Sequence, residues 1–179
     1  MGGFEIAISI ITTLLAIVAM QGRNMGFILA CQLFLNALIV LQYTITGNLS
    51  ASYICALAVV QVVISFVFQK KGKPFPIYVT VVFMAGYLAI SLLEYTALYD
   101  VLTGVAACMF ALSVVQKHTA LCRLCCLFNG IFWLAFDLFA ASYGALPVHI
   151  TVFTATLISI IRLDRGFWSE KIRRKNEEK

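Results

Sequence analysis

Seven apolar runs, each close to the length a helix needs to cross a bilayer, are joined by turns too short to fold separately. They cover residues 4–20, 25–44, 50–68, 76–93, 99–115, 119–140 and 146–162. A spanning helix takes about 20 residues, so seven take roughly 140. A chain of 179 residues then has room for short loops and a tail, and none for a second, soluble domain. The separators are turn and charge signals: Gln21-Gly22-Arg23-Asn24, Thr46-Gly47-Asn48, Lys70-Lys71-Gly72-Lys73-Pro74, Glu94-Tyr95-Thr96, Gln116-Lys117-His118 and Ser142-Tyr143-Gly144. Composition points the same way, with 62% hydrophobic and 12% charged residues against about one half and one quarter in soluble domains. Most soluble-enzyme classes are thereby excluded. The first run carries Glu5 in place of a basic leader and has no small-residue cleavage site before Gln21, so it reads as a retained span and not as a cleaved signal peptide.

Charge tests the count. If the helices alternate, the amino terminus and the second, fourth and sixth turns lie on one side. That side holds Glu5, Glu94, Asp100 and, near a helix end, Asp137. All 13 Lys and Arg fall on the other: Arg23, the lysines at 70, 71 and 73, Lys117, Arg123, Arg162 and the basic residues of the tail. Six or eight spans would break this partition. The basic side is the cytoplasmic one, which puts the amino terminus outside and the carboxyl terminus inside. The net charge of +5 is thus a topology signal; no basic face interleaved with aromatics suggests nucleic acid.

The two halves echo each other. Cys31-Gln32-Leu33-Phe34-Leu35-Asn36-Ala37-Leu38 aligns with Leu124-Cys125-Cys126-Leu127-Phe128-Asn129-Gly130-Ile131, sharing a mid-helix Asn, and Ile64-Ser65 aligns with Ile158-Ser159. Each Asn-bearing helix follows an inner turn with Gln and a basic residue. Equivalent elements are four spans apart, so the halves share one orientation and form parallel repeats. The expected fold is all-α and integral to the membrane, with seven transmembrane helices in a 3+1+3 order. Residues 1–75 form the first triple-helix repeat, 76–98 the linker helix, 99–163 the second repeat and 164–179 a cytoplasmic basic tail. In that tail Phe167 and Trp168 sit at the interface and mixed charge anchors the chain to anionic lipid.

Polar side chains inside hydrocarbon are costly and mark functional candidates. Asn36 and Asn129 lie about twelve residues into their helices, roughly 18 Å, near the middle of a 30 Å core. An amide both donates and accepts, which suits a hydroxyl- or amide-bearing solute, and also suits gluing helices together. Gln32, one turn before Asn36, extends its polar stripe; Gln61 and Thr154 or Thr156 could line the same cavity. Trp133, one turn after Asn129, could stack on a ring or simply pack. Asp137 and His149 flank the turn between helices six and seven at matching depth, a candidate pair for proton coupling or two interfacial residues met by water. Arg162 reads as an anchor at the inner end of helix seven. His118, Cys122 and Cys125 share one helical face with Cys126 adjacent, but no second ligand set accompanies them, so neither a metal nor a cofactor is expected.

A three-plus-one-plus-three order resembles the SWEET and PQ-loop superfamily of membrane proteins. The turn Gln116-Lys117-His118-Thr119, the helix Asn129-Gly130-Ile131-Phe132-Trp133-Leu134-Ala135-Phe136 and the closing Ile158-Ser159-Ile160-Ile161-Arg162-Leu163-Asp164-Arg165 are similar to the YgjV-like bacterial inner membrane family within it. The resemblance implies small-solute transport at the bacterial inner membrane. From SWEET-type proteins, where a paired Asn binds solute, it implies that role for Asn36 and Asn129. One departure stands out: Pro74, Pro76 and Pro147 all lie near helix ends, so the first and fifth helices carry no proline hinge. The function expected is transport of a small polar metabolite (sugar-like, nucleoside-like or vitamin-like) by alternating access. A non-transporting receptor or assembly factor with the same fold, or a capture subunit of a larger uptake complex, are the rivals. No nucleophile-base set or phosphate-cradling loop suggests an enzyme. The partners expected are the lipid bilayer and the solute. Both repeats fit in one chain, so a monomer suffices, and lateral association into a homo-oligomer is left open.

Overall fold

The computed structural model describes residues 3–95 and 97–177, and among them the chain forms eight helices and no strand. These are α1 (Gly3–Gln21), α2 (Met25–Ile45), α3 (Leu49–Lys70), α4 (Ile77–Leu93), α5 (Asp100–Val114), α6 (Thr119–Phe139), α7 (Leu146–Leu163) and α8 (Arg165–Glu177). The first seven coincide with the seven apolar runs to within two residues at either end. Local chemistry sets the boundaries. Asn24 accepts a hydrogen bond from the Gly26 amide and so caps α2. Gly47 and Gly72, at φ 79° and 65°, take the left-handed conformation that closes α2 and α3. Pro147 sits in the first turn of α7, where its missing N–H costs nothing. The turn after α6 uses Ala141 at φ 51°, a side-chain-bearing residue where the other two turns use glycine.

The helices are not equal. α2, α3, α6 and α7 are each long and apolar enough to cross a membrane, while the apolar stretches Ile6–Gln21, Ile77–Leu93 and Asp100–Val114 are shorter. At 1.5 Å per residue the 15 residues of α5 reach about 22 Å. The basic tail is a further helix, α8, which packs on α7. Its periodicity is hidden in sequence because charge dominates it; its first turn is entered from Asp164, whose carbonyl accepts from the Trp168 amide.

Packing closes a ring. α1 lies against α2 and α7, α2 against α3, α3 against α5, α5 against α6, and α6 against α7; α4 sits outside, against α3 and α5. The ring turns the usual soluble arrangement inside out. Gln32, Asn36, Gln42, Gln61, Asp137, His149 and Thr156 are buried, whereas Ile77, Val82, Leu92, Phe139 and Ile161 are exposed. Such a continuous apolar exterior is a surface for lipid.

Candidate functional site

The ring encloses a cavity of about 40 Å³. α2 lines it with Gln32, Leu35, Asn36 and Ile39, α3 with Ile54, Cys55 and Ala58, α5 with Ala107 and Phe110, α6 with Cys126, Asn129 and Trp133, and α7 with His149 and Val152. Asn36 and Asn129, on opposite members of the ring, therefore face one space. Asn36 donates through Nδ2 to the Gln32 carbonyl at 2.8 Å, one turn back on its own helix. The Oδ1 of Asn129 is buried and accepts no hydrogen bond. A buried acceptor without a partner costs about 1–3 kcal/mol.

The wall toward the α6–α7 turn is aromatic and ionisable. His149 Nδ1 meets Asp137 Oδ2 at 2.5 Å, and the Tyr43 hydroxyl donates to Asp137 Oδ1 at 2.8 Å. Trp133 stacks on the His149 imidazole at 5.3 Å and 12°, and on Tyr43 at 5.5 Å. Asp137 is wholly buried behind His149 and does not itself line the cavity. Tyr43, Asp137 and His149 thus form a chain with one end, the imidazole, on the cavity. Tyr43 is absent from the sequence reading, although its spacing of seven from Asn36 continues the Gln32-Asn36 stripe along one face of α2.

The other expected site residues lie elsewhere. Gln61 is fully buried but does not line the cavity: its Oε1 accepts from the Tyr87 hydroxyl at 2.7 Å and its Nε2 donates to the Ala111 carbonyl at 3.4 Å, tying α3 to α4 and α5. Thr156 spends its hydroxyl on the Val152 carbonyl, and Thr154 is exposed. His118 is exposed and lies against Phe167 of α8, with ring centroids 5.6 Å apart. Among the described residues no three His, Cys, Asp or Glu side chains converge as metal ligands.

Both ends of the ring are tied. At one, Gln42 Nε2 donates to Ser9 Oγ at 2.8 Å and to the Gly144 carbonyl, and Asn48 Nδ2 donates to Ser142 Oγ at 2.7 Å. The turn 140–145 is thereby fastened over α1, α2 and α3. At the other end, Arg123 is 1% exposed and fully engaged. Its Nη1 bonds Asp164 Oδ1 at 2.6 Å, its Nε the Met20 carbonyl at 3.1 Å, and its Nη2 the Gly22 carbonyl. Sequence reading counted Arg123 only as a basic residue of the inner side. Its position one turn inside an apolar helix, unlike the turn-borne basic residues, was the available signal. Between α2, α3 and α5, a second cavity of about 350 Å³ is lined by Met25, Leu29, Ser65, Phe68, Lys73 and Lys117. Met25 and Leu29 continue the Gln32-Asn36 face of α2 into this second cavity.

Two volumes decide what the central site holds as it stands. A water needs about 10–15 Å³ of such space, so about 40 Å³ takes roughly two or three, whereas small-molecule clefts run to about 300–1,000 Å³. This conformation is closed around its polar centre. A family model, Imp-YgjV, described as a bacterial inner membrane protein, matches residues 4–166. No curated protein and no solved structure matches the chain.

Proposed function

Because the chain belongs to the Imp-YgjV family of bacterial inner membrane proteins, we propose that it carries a small polar metabolite across that membrane by alternating access. The observation that carries this reading is the enclosed polar centre, where Asn36 and Asn129 face one cavity and the Asn129 carbonyl has no partner. A sugar-like, nucleoside-like or vitamin-like solute would fill that valence, with Gln32 below it and the Trp133 ring beside it. In the closed form the inner path is blocked by Met25 and Leu29, and the outer one by the fastened turn 140–145. No enzymatic activity forms part of this reading.

The packing supports a seven-span, 3+1+3 architecture with parallel repeats. Exchanging α1 for α5, α2 for α6 and α3 for α7 maps the ring's contacts onto themselves: α1–α2 becomes α5–α6, α2–α3 becomes α6–α7, and α7–α1 becomes α3–α5. α4 stands outside the exchange, as a linker would. This is the pattern that the resemblance to the SWEET and PQ-loop superfamily requires, and transport about such an axis rocks one half against the other. The partition of charge supports an orientation with the amino terminus outside. The hydrogen-bonded chain Tyr43–Asp137–His149, which ends with the imidazole on the cavity, offers a place for a coupling proton.

One observation favours a second reading. The central volume is too small for a metabolite without opening, and an assembly factor of the same fold that takes no solute there has no need to open. A thermal-shift screen of the detergent-purified protein against sugars, nucleosides, vitamins and amino acids, run beside Asn129→Ala and followed by flux in liposomes, separates the two. A stabilising solute whose effect disappears in the variant, and which crosses the liposome membrane, fits the carrier. Binding without flux moves the assignment to the receptor, and wild-type uptake by Asn129→Ala removes the asparagine site.

A further inference from the structure

A third cavity, of about 330 Å³, lies at the Arg123 end of the ring, away from the central site, and is lined by Arg23, Thr119, Arg123, Arg162, Leu163 and Asp164. Its parts come from three helix junctions. Arg23 lies in the α1–α2 turn, Thr119 is the first residue of α6, and Arg162 to Asp164 close α7. Arg123 and Asp164 neutralise each other through their 2.6 Å ion pair. The exposed guanidinium groups of Arg23 and Arg162 are left as the excess charge around the opening.

Three further features define a ligand. The first turn of α6, whose Thr119 lines the opening, has no side-chain cap, so its first amides and the positive end of its dipole are left for another acceptor. Guanidinium groups beside such a helix start are the donor set that a phosphate diester accepts. Asp164 is 4% exposed, and its Oδ2 accepts no hydrogen bond while Oδ1 is held by Arg123. That oxygen asks for a donor, which a bare phosphate diester lacks and a terminal ammonium or hydroxyl supplies. Finally, the helices carrying the cavity expose Phe27, Ile158 and Ile161, surfaces that acyl chains cover.

The geometry points to a structural site for a phospholipid whose headgroup combines a phosphate diester with a terminal hydrogen-bond donor. Ethanolamine or glycerol headgroups qualify, and a choline headgroup does not. The phosphate lies between Arg23, Arg162 and the start of α6, the donor reaches Asp164, and the chains run along α2 and α7. Such a lipid sits on the same junction that Arg123 ties, and adds to it.

Native mass spectrometry on delipidated full-length protein tests this, with dioleoyl phosphatidylethanolamine, phosphatidylglycerol and phosphatidylcholine added back in turn, and soluble glycerophosphoethanolamine as competitor. The substitutions are Arg23→Gln with Arg162→Gln, both at exposed positions, leaving the Arg123–Asp164 pair intact. The ethanolamine and glycerol lipids are expected to bind roughly tenfold tighter than the choline lipid, and roughly tenfold tighter to the wild type than to the double variant, as befits hydrogen bonds to charged groups. Equal binding of the choline lipid overturns the role given to Asp164, and undiminished binding by the double variant overturns the site. Competition by glycerophosphoethanolamine at the lipid's own concentration makes the occupant a soluble phosphodiester and overturns the lipid assignment.

Discussion

Buried amides in this protein divide by whether they have partners, and the division predicts opposite mutational behaviour. Gln61 satisfies the Tyr87 hydroxyl and reaches the Ala111 carbonyl, so Gln61→Ala leaves both without it and should destabilise by about 1–3 kcal/mol. Asn129 holds an acceptor with no partner, so Asn129→Ala should leave stability within about 1 kcal/mol while solute recognition is lost. Unfolding in denaturant, read by far-UV circular dichroism, ranks the pair; a larger loss for Asn129 would make it glue. Arg123 is the extreme case. Arg123→Ala strands the buried Asp164 carboxylate and should cost about 3–5 kcal/mol. Arg123→Lys should recover only part of this, because one ammonium does not reproduce the fork that reaches Asp164, Met20 and Gly22 together. Full recovery by lysine would mean that only the charge matters. At this scale the sequence was informative about which residues are anomalous and poor about their partners. Asn36, Asn129, Asp137 and His149 stand out as polar groups in apolar runs. Tyr43 to Asp137 spans 94 positions and Arg123 to Met20 spans 103. Which of them meet depends on how each helix is rotated in the ring.

Helix pairs are set by how closely their backbones approach, and two glycines measure it. A Cβ placed on Gly104 would lie 2.9 Å from Ser91 Cβ, so α4 and α5 touch there with no room for a methyl group. Gly104→Ala should push α4 away and cost about 1–3 kcal/mol. The same test on Gly130 meets nothing closer than Phe153 Cβ at 3.6 Å, so Gly130→Ala is accommodated between α6 and α7 and should gain up to about 1 kcal/mol of helix propensity. Melting temperatures of the two variants should move in opposite directions, and a shared sign would contradict the packing described. Element positions were legible because apolar runs broken by Gly, Pro and charge encode helix ends locally. α8 was not, because a helix built mainly of charged residues leaves no apolar stripe to read.

For the whole molecule the testable quantity is topology. Reporters fused after Asn48 and after Lys179 should signal outside and inside respectively; an outside signal from Lys179 would remove both the seven-span count and the carrier orientation built on it. The sequence alone determined that this chain is a bundle of apolar helices suited to a membrane and where the first seven helices begin and end, because the hydrophobic run and the turn residue act over a few neighbours. It also ranked the buried polar groups as conspicuous, because the cost of a polar side chain in hydrocarbon does not depend on its partner. Only the tertiary structure decided that α4 stands outside a closed ring of six, that Gln61 faces α4 and α5 while Asn36 and Asn129 share a cavity, and that Arg123 is a buried tie between α1 and α7. Those outcomes follow from the rotation and neighbour order of whole helices. That order is fixed by the summed packing of all of them and is written in no single segment.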